Sequence, residues 1–161
     1  MFAAGDRVVY PMHGGAYIQE IQHREQNGSE VDYYVLKMLF ENMTVAIPVA
    51  NAEKLGLRPI GNEESLACIK KVLQEEQDVQ AYKSISWNRR FQLYMDRIKT
   101  GSVLEVARIY KVLFLVEQGK KISVGERRLL HTTRQILQSE IMLIKDISAE
   151  EAGAWLADCC S

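Results

Sequence analysis

What this sequence lacks narrows it first. Three cysteines among 161 residues, Cys68, Cys159 and Cys160, make no disulfide framework and no Cys-x-x-Cys pair. The adjacent Cys159 and Cys160 read as a frayed tail in a reducing compartment. The three histidines, His13, His23 and His131, show no His-x-x-x-His spacing, so no metal site is expected. Gly-x-Ser-x-Gly, the phosphate-loop pattern and Gly-x-Gly-x-x-Gly are all missing. Without a convergent set of titratable groups the chain is not expected to be an enzyme, and neither a cofactor nor a small-molecule substrate is implied. No apolar run reaches the ~18–20 residues of a membrane span. The opening Met1-Phe2-Ala3-Ala4-Gly5-Asp6-Arg7 lacks the basic-then-apolar order of a signal peptide. The expected location is the cytoplasm, away from membranes.

Net charge is also missing: the formal total is −1. That balance conceals a pattern. Residues 85–134 carry 11 Lys/Arg against 4 Asp/Glu, whereas the segments before and after are acidic. A basic block inside an acidic chain is the footprint of a polyanion partner, or else of a solvated helical face.

Residues 6–48 repeat with period two. Asp6-Arg7-Val8-Val9-Tyr10 is a short strand stopped by Pro11, and Gly14-Gly15 reads as a tight turn. Asn27-Gly28 is a hairpin signal between two strand-like runs. Four or five short strands in about sixty residues are too few for a sandwich and suit a small, bent barrel of the SH3 or Tudor-like kind, with Leu57-Arg58-Pro59-Ile60 closing it. After Gly61-Asn62 the period becomes helical. Ser102, Ser123 and Ser148 each precede a glutamate by three positions, the capping-box pattern. Gly101 and Gly119 sit where helices should stop. The expected architecture is therefore α+β: a barrel domain over residues 1–60, then an all-α bundle over 61–161. Its five or so helices should fall near 63–81, 86–99, 102–118, 123–145 and 148–158. The short boundary predicts a limited range of relative orientations, and Trp155 in the last helix reads as a packing residue.

The basic helices carry the functional question. On 86–99, Phe91, Tyr94, Met95 and Ile98 mark a core face, and Trp87 lies on the same stripe. Side chains lean toward a helix N-terminus, so a first-turn tryptophan can also reach past the end of the core. Helical phase leaves Trp87 open between core residue and exposed wedge. Lys120-Lys121, Arg127 and Arg128 surround the start of 123–145, where free N–H groups would seat a phosphate, and Arg134 follows on the flank of Arg127.

Gly5-Asp6-Arg7-Val8-Val9-Tyr10-Pro11-Met12-His13-Gly14 resembles the opening motif of the CarD/CdnL family of bacterial RNA polymerase-binding transcription regulators. Ser86-Trp87-Asn88-Arg89-Arg90, Lys99-Thr100-Gly101, Ser123-Val124-Gly125-Glu126-Arg127-Arg128 and Arg134-Gln135-Ile136-Leu137 resemble that family's C-terminal motifs in order and spacing. The match spans nearly the whole chain. It implies a Tudor-like domain docking on the RNA polymerase β subunit, and a helical domain contacting promoter DNA at the upstream edge of the melted bubble, with little sequence specificity. Trp87 would wedge into the minor groove while Arg89, Arg90 and Arg127 hold the backbone. On the polymerase side Arg24 falls on a contact position, and Ala46 stands where the family pattern has a second arginine. An adaptor whose helices recruit another protein instead of DNA is the rival expectation. It would leave Trp87 buried.

Overall fold

The computed structural model describes residues 1–160. Five strands, β1 (Arg7–Tyr10), β2 (Gly14–Gln26), β3 (Ser29–Met38), β4 (Thr44–Pro48) and β5 (Arg58–Pro59), form one antiparallel sheet in the order β4-β3-β2-β1-β5. Asn27 and Gly28 both take positive φ, 52° and 79°, between the paired Gln26 and Ser29. That is the two-residue turn whose twist matches the flanking strands. A register shift between Ile18 and Glu20 bends β2, so the sheet curls over Val8, Ile18, Tyr34, Leu36 and Ile47.

The curl does not close. β5 is two residues long and pairs only with β1, while β4 pairs only with β3. Pro59 offers no N–H to extend the pairing, and the chain then turns into the first helix. The closed barrel of the sequence reading is corrected to an open Tudor-like sheet.

Six helices follow: α1 (Glu63–Gln74), α2 (Val79–Lys83), α3 (Trp87–Lys99), α4 (Val103–Gln118), α5 (Val124–Lys145) and α6 (Ala149–Cys160). The expected helix over 63–81 is two. Glu75 leaves α1 with extended ψ, and the Asp78 carboxylate caps α2 by accepting from the Ala81 N–H. Acidic Glu75 and Glu76 oppose the negative end of a helix dipole, so the interruption falls where continuation is least favoured. Ser123 with Glu126 and Ser148 with Glu151 make the reciprocal capping bonds. Ser102 accepts from the Glu105 N–H, but the Glu105 carboxylate turns to Arg97 and Arg108 instead.

α4 is the buried centre of the bundle, with Val106, Ile109, Val112 and Leu113 packed against Leu73, Ile98 and Leu137. Trp155 packs at its margin. Cys159 is buried at the end of α6 and its thiol is pushed up by burial, as is that of Cys160. The expected frayed tail is thus a docked helix end, and burial keeps its thiols more fully protonated than free cysteine would be.

Sheet and helices meet along α5. The Gly15 N–H donates to Ser139 Oγ at 2.6 Å, and Arg7 donates to the Leu143 carbonyl. Glu140, fully buried, accepts from Arg58 Nη2 at 2.8 Å, Arg58 Nη1 at 3.0 Å and the Gly61 N–H at 2.9 Å. Arg58 Nε donates to the Gly101 carbonyl at 2.9 Å. Gly14 and Gly15 are not a turn but the seat for this helix. A Cβ on Gly14 would stand 2.5 Å from Ser139 Oγ, and one on Gly15 2.8 Å from Leu143 Cδ1. Only glycine allows that approach.

Candidate nucleic-acid interface

The starts of α3 and α5 lie against each other. Trp87 is the first residue of α3, and Ser86 before it places no side chain over the helix end. The ring reaches across to the first turn of α5, where a Cβ on Gly125 would stand 2.6 Å from Trp87 Cζ2 and 2.9 Å from Cη2. On its own helix it meets Phe91, ring centroids 5.7 Å apart.

Beneath it lies Arg90, whose guanidinium carbon is 5.2 Å from the Trp87 ring centroid, within cation–π range. Arg90 Nη1 donates to the Ile85 carbonyl at 2.9 Å. Its Nε lies 3.4 Å from Glu126 Oε2, close enough for charge attraction but out of line for a hydrogen bond. Glu126 is itself fixed: Oε1 accepts from the Ser123 N–H and hydroxyl at 3.3 and 3.0 Å. Tyr94 OH lies 3.5 Å from the other carboxylate oxygen. Burial, and after it the Glu126 charge, hold the Tyr94 phenol above its usual range, so it remains a neutral donor.

The expected core stripe of α3 begins only at Tyr94. Tyr94 and Ile98 are fully buried, but Phe91 and Trp87 are 39% and 38% exposed. Val124, opening α5, is 72% exposed. Apolar surface is therefore left open at both helix starts, by Trp87 and Phe91 on α3 and by Val124 on α5. Both helix dipoles present their positive ends there, which favours an anionic ligand. The free N–H groups expected on α5 are partly satisfied by Ser123 and Glu126, so the less capped start is that of α3.

The named cations divide. Arg89 is exposed beside Gln92 and Asp96, while Arg127 and Arg128 are exposed around a shallow hollow with Val124 and His131. Arg90 points inward, its side chain 15% exposed. Arg134 leans on the Tyr110 ring at 6.0 Å, on the side of α4. On the sheet, β2–β3–β4 register puts Arg24, Val31, Tyr33, Val35 and Ala46 on one outer face, opposite the core. Arg24 and Ala46 are exposed, and the Arg24 guanidinium lies over the Tyr33 ring at 4.7 Å.

The exposure of Phe91, expected on the core face, the exposure of Val124, the contact of Gly125 with Trp87 and the second use of Glu126 do not follow from the sequence. A glycine inside a helix costs up to about 1 kcal/mol relative to alanine, so Gly125 in the first turn of α5 was the available signal.

The chain is thus built in two parts, an open Tudor-like sheet and a helical bundle joined along α5. Residues 2–61 match the CarD-like/TRCF RID domain, and residues 69–157 match the CarD C-terminal domain. The chain belongs to the CarD family of transcription factors. It is 30% identical over 151 residues to the putative transcription factor YdeB of Bacillus subtilis (strain 168), covering 94% of this chain and 97% of that relative.

Among the described residues, no helix is long and apolar enough to cross a membrane, and no three His, Cys, Asp or Glu residues gather as metal ligands would.

Proposed function

We propose that this protein regulates transcription initiation by docking on the RNA polymerase β subunit through the outer face of its sheet, while the α3/α5 tip holds promoter DNA at the upstream edge of the melted bubble. The match of residues 2–61 to the domain shared with TRCF supports the polymerase contact. Arg24, Tyr33 and Ala46 lie on the face that would meet it, with alanine at position 46 narrowing the polar part of that contact.

The observation that carries the DNA reading is the tip. Trp87 and Phe91 pack ring to ring with more than a third of each exposed, and Trp87 rests on Gly125 at the start of α5. Exposed Val124, Arg127 and Arg128 lie on that same first stretch of α5, while Arg89 is exposed on another side of α3. Apolar wedges set between phosphate-seeking cations are how proteins hold an unstacked base step. Arg90, already engaged by Ile85 and Glu126, supports the wedge from below more than it grips phosphate.

Such a factor need not bind DNA strongly alone. Docking on polymerase supplies effective concentration for the second contact. An open-complex preference of about 1.4 kcal/mol is a tenfold shift.

The test is open-complex lifetime on a slow-melting promoter, with wild-type protein and with Trp87→Ala. We expect the wild-type protein to lengthen the lifetime and Trp87→Ala to lose most of that gain while keeping its melting temperature within a few degrees. No lengthening by the wild-type protein removes the reading. Polymerase binding without salt-dependent DNA association would replace it with the adaptor.

A further inference from the structure

We infer that Gly125 is a positioning residue for the Trp87 wedge: the ring's benzo edge rests on the first turn of α5 at a point where only a hydrogen fits. This rests on the function proposed above and extends it to the residue that sets the wedge's angle. Two observations carry it. A Cβ at position 125 would overlap Trp87 Cζ2 and Cη2, at 2.6 and 2.9 Å, and the third nearest atom, Cε2 at 3.7 Å, belongs to the same ring. The space that glycine leaves is therefore filled by one side chain. In addition, position 125 lies within α5, where alanine is the better helix former. Packing with the rest of the bundle gives no reason for glycine, since no atom of another helix outside the Trp87 ring would lie nearer to that Cβ than 3.7 Å, an ordinary contact distance.

The two effects of a methyl group at this position therefore oppose each other. The α5 backbone gains, while the ring, a side chain free to swing, is displaced from the seat formed by Gly125 and Arg90. A purely structural glycine would behave differently, because its replacement would lower stability and leave the wedge no worse than the fold.

The chain has two tryptophans, so the experiment uses full-length protein carrying Trp155→Phe, which leaves Trp87 as the sole tryptophan, excited at the long-wavelength edge where tyrosine does not absorb. Gly125→Ala is compared with this parent in three ways: thermal melting, acrylamide quenching of Trp87, and open-complex lifetime with polymerase. We expect melting at or above the parent, increased quenching, and a lifetime falling more than half-way to that of Trp87→Ala. We also expect Gly125→Ala to add nothing once Trp87 is already alanine, since residues acting through one another are not additive. Unchanged quenching together with unchanged lifetime overturns the inference. So does an equal loss with and without Trp87, which would make Gly125 act by another route. If Gly125→Ala fails to fold, Trp87→Phe is added. Phenylalanine lacks the overlapping atoms, so recovery of folding supports the contact and continued failure refutes it. Should Trp87→Ala leave lifetime untouched, the proposed function fails, and the quenching result still decides what Gly125 does to the ring.

Discussion

Towards each end of α5 a glutamate is buried beside an arginine and a close-packed glycine, and the two arrangements differ in whether the arginine supplies the carboxylate's hydrogen bonds. At Glu140 each carboxylate oxygen is taken by one prong of the Arg58 fork, and the Gly61 N–H adds a third bond. Paired and enclosed in this way, charge acts as a joint between sheet and helices. At Glu126 one oxygen serves the helix cap, while the other accepts from Tyr94 OH at 3.5 Å and faces Arg90 at 3.4 Å with no hydrogen bond to it. Arg90 is left with a face for Trp87. The same three residue types make a joint where the arginine bonds the glutamate and a pedestal where it does not.

Breaking the joint gives the largest effect. Glu140→Ala leaves the Arg58 charge and the Gly61 N–H without a partner, and should cost about 3–5 kcal/mol in urea unfolding. If the loss is under about 1 kcal/mol, sheet and helices are not held together by this cluster. Arg90→Ala tests the pedestal. It removes one charge-assisted bond to a backbone carbonyl and the attraction to Glu126, so about 2 kcal/mol is expected. A measured loss equal to that of Glu140→Ala would make Arg90 as much a joint as Arg58. Arg24→Glu lies on the exposed face away from both clusters and should change stability by less than about 0.5 kcal/mol. Its expected effect is weaker co-purification with the β subunit at unchanged DNA affinity, and undiminished co-purification would remove Arg24 from the docking face.

Local chemistry was readable from sequence. Asn27-Gly28 dictates its own hairpin, and Ser123 with Glu126 dictates a helix start, because cause and effect lie within four residues. Features whose reason is distant were not readable. Gly14-Gly15 has the composition of a turn, but its partner, Ser139, is 124 residues further on. Arg90 looked like a surface cation because helical phase says nothing of Glu126, which arrives from another helix. Trp87 is intermediate: phase put it on the core stripe and its first-turn place allowed exposure. The structure gives it both, with one edge seated on Gly125 and more than a third of its surface open.

The joint and the pedestal sit on one uninterrupted helix, fourteen positions apart. At about 1.5 Å and 100° per residue, Glu126 and Glu140 are about 21 Å apart along α5 and within about 40° of the same azimuth. Gly14 and Gly15 leave the sheet no room to roll on that helix, so the orientation of the tip relative to the sheet is stored as a residue count. One residue more or fewer between 126 and 140 would swing the tip by about 100° while hardly altering its reach. The pitch of α5 thus serves this protein as a protractor, whose reading depends on the length of the segment before it depends on its composition.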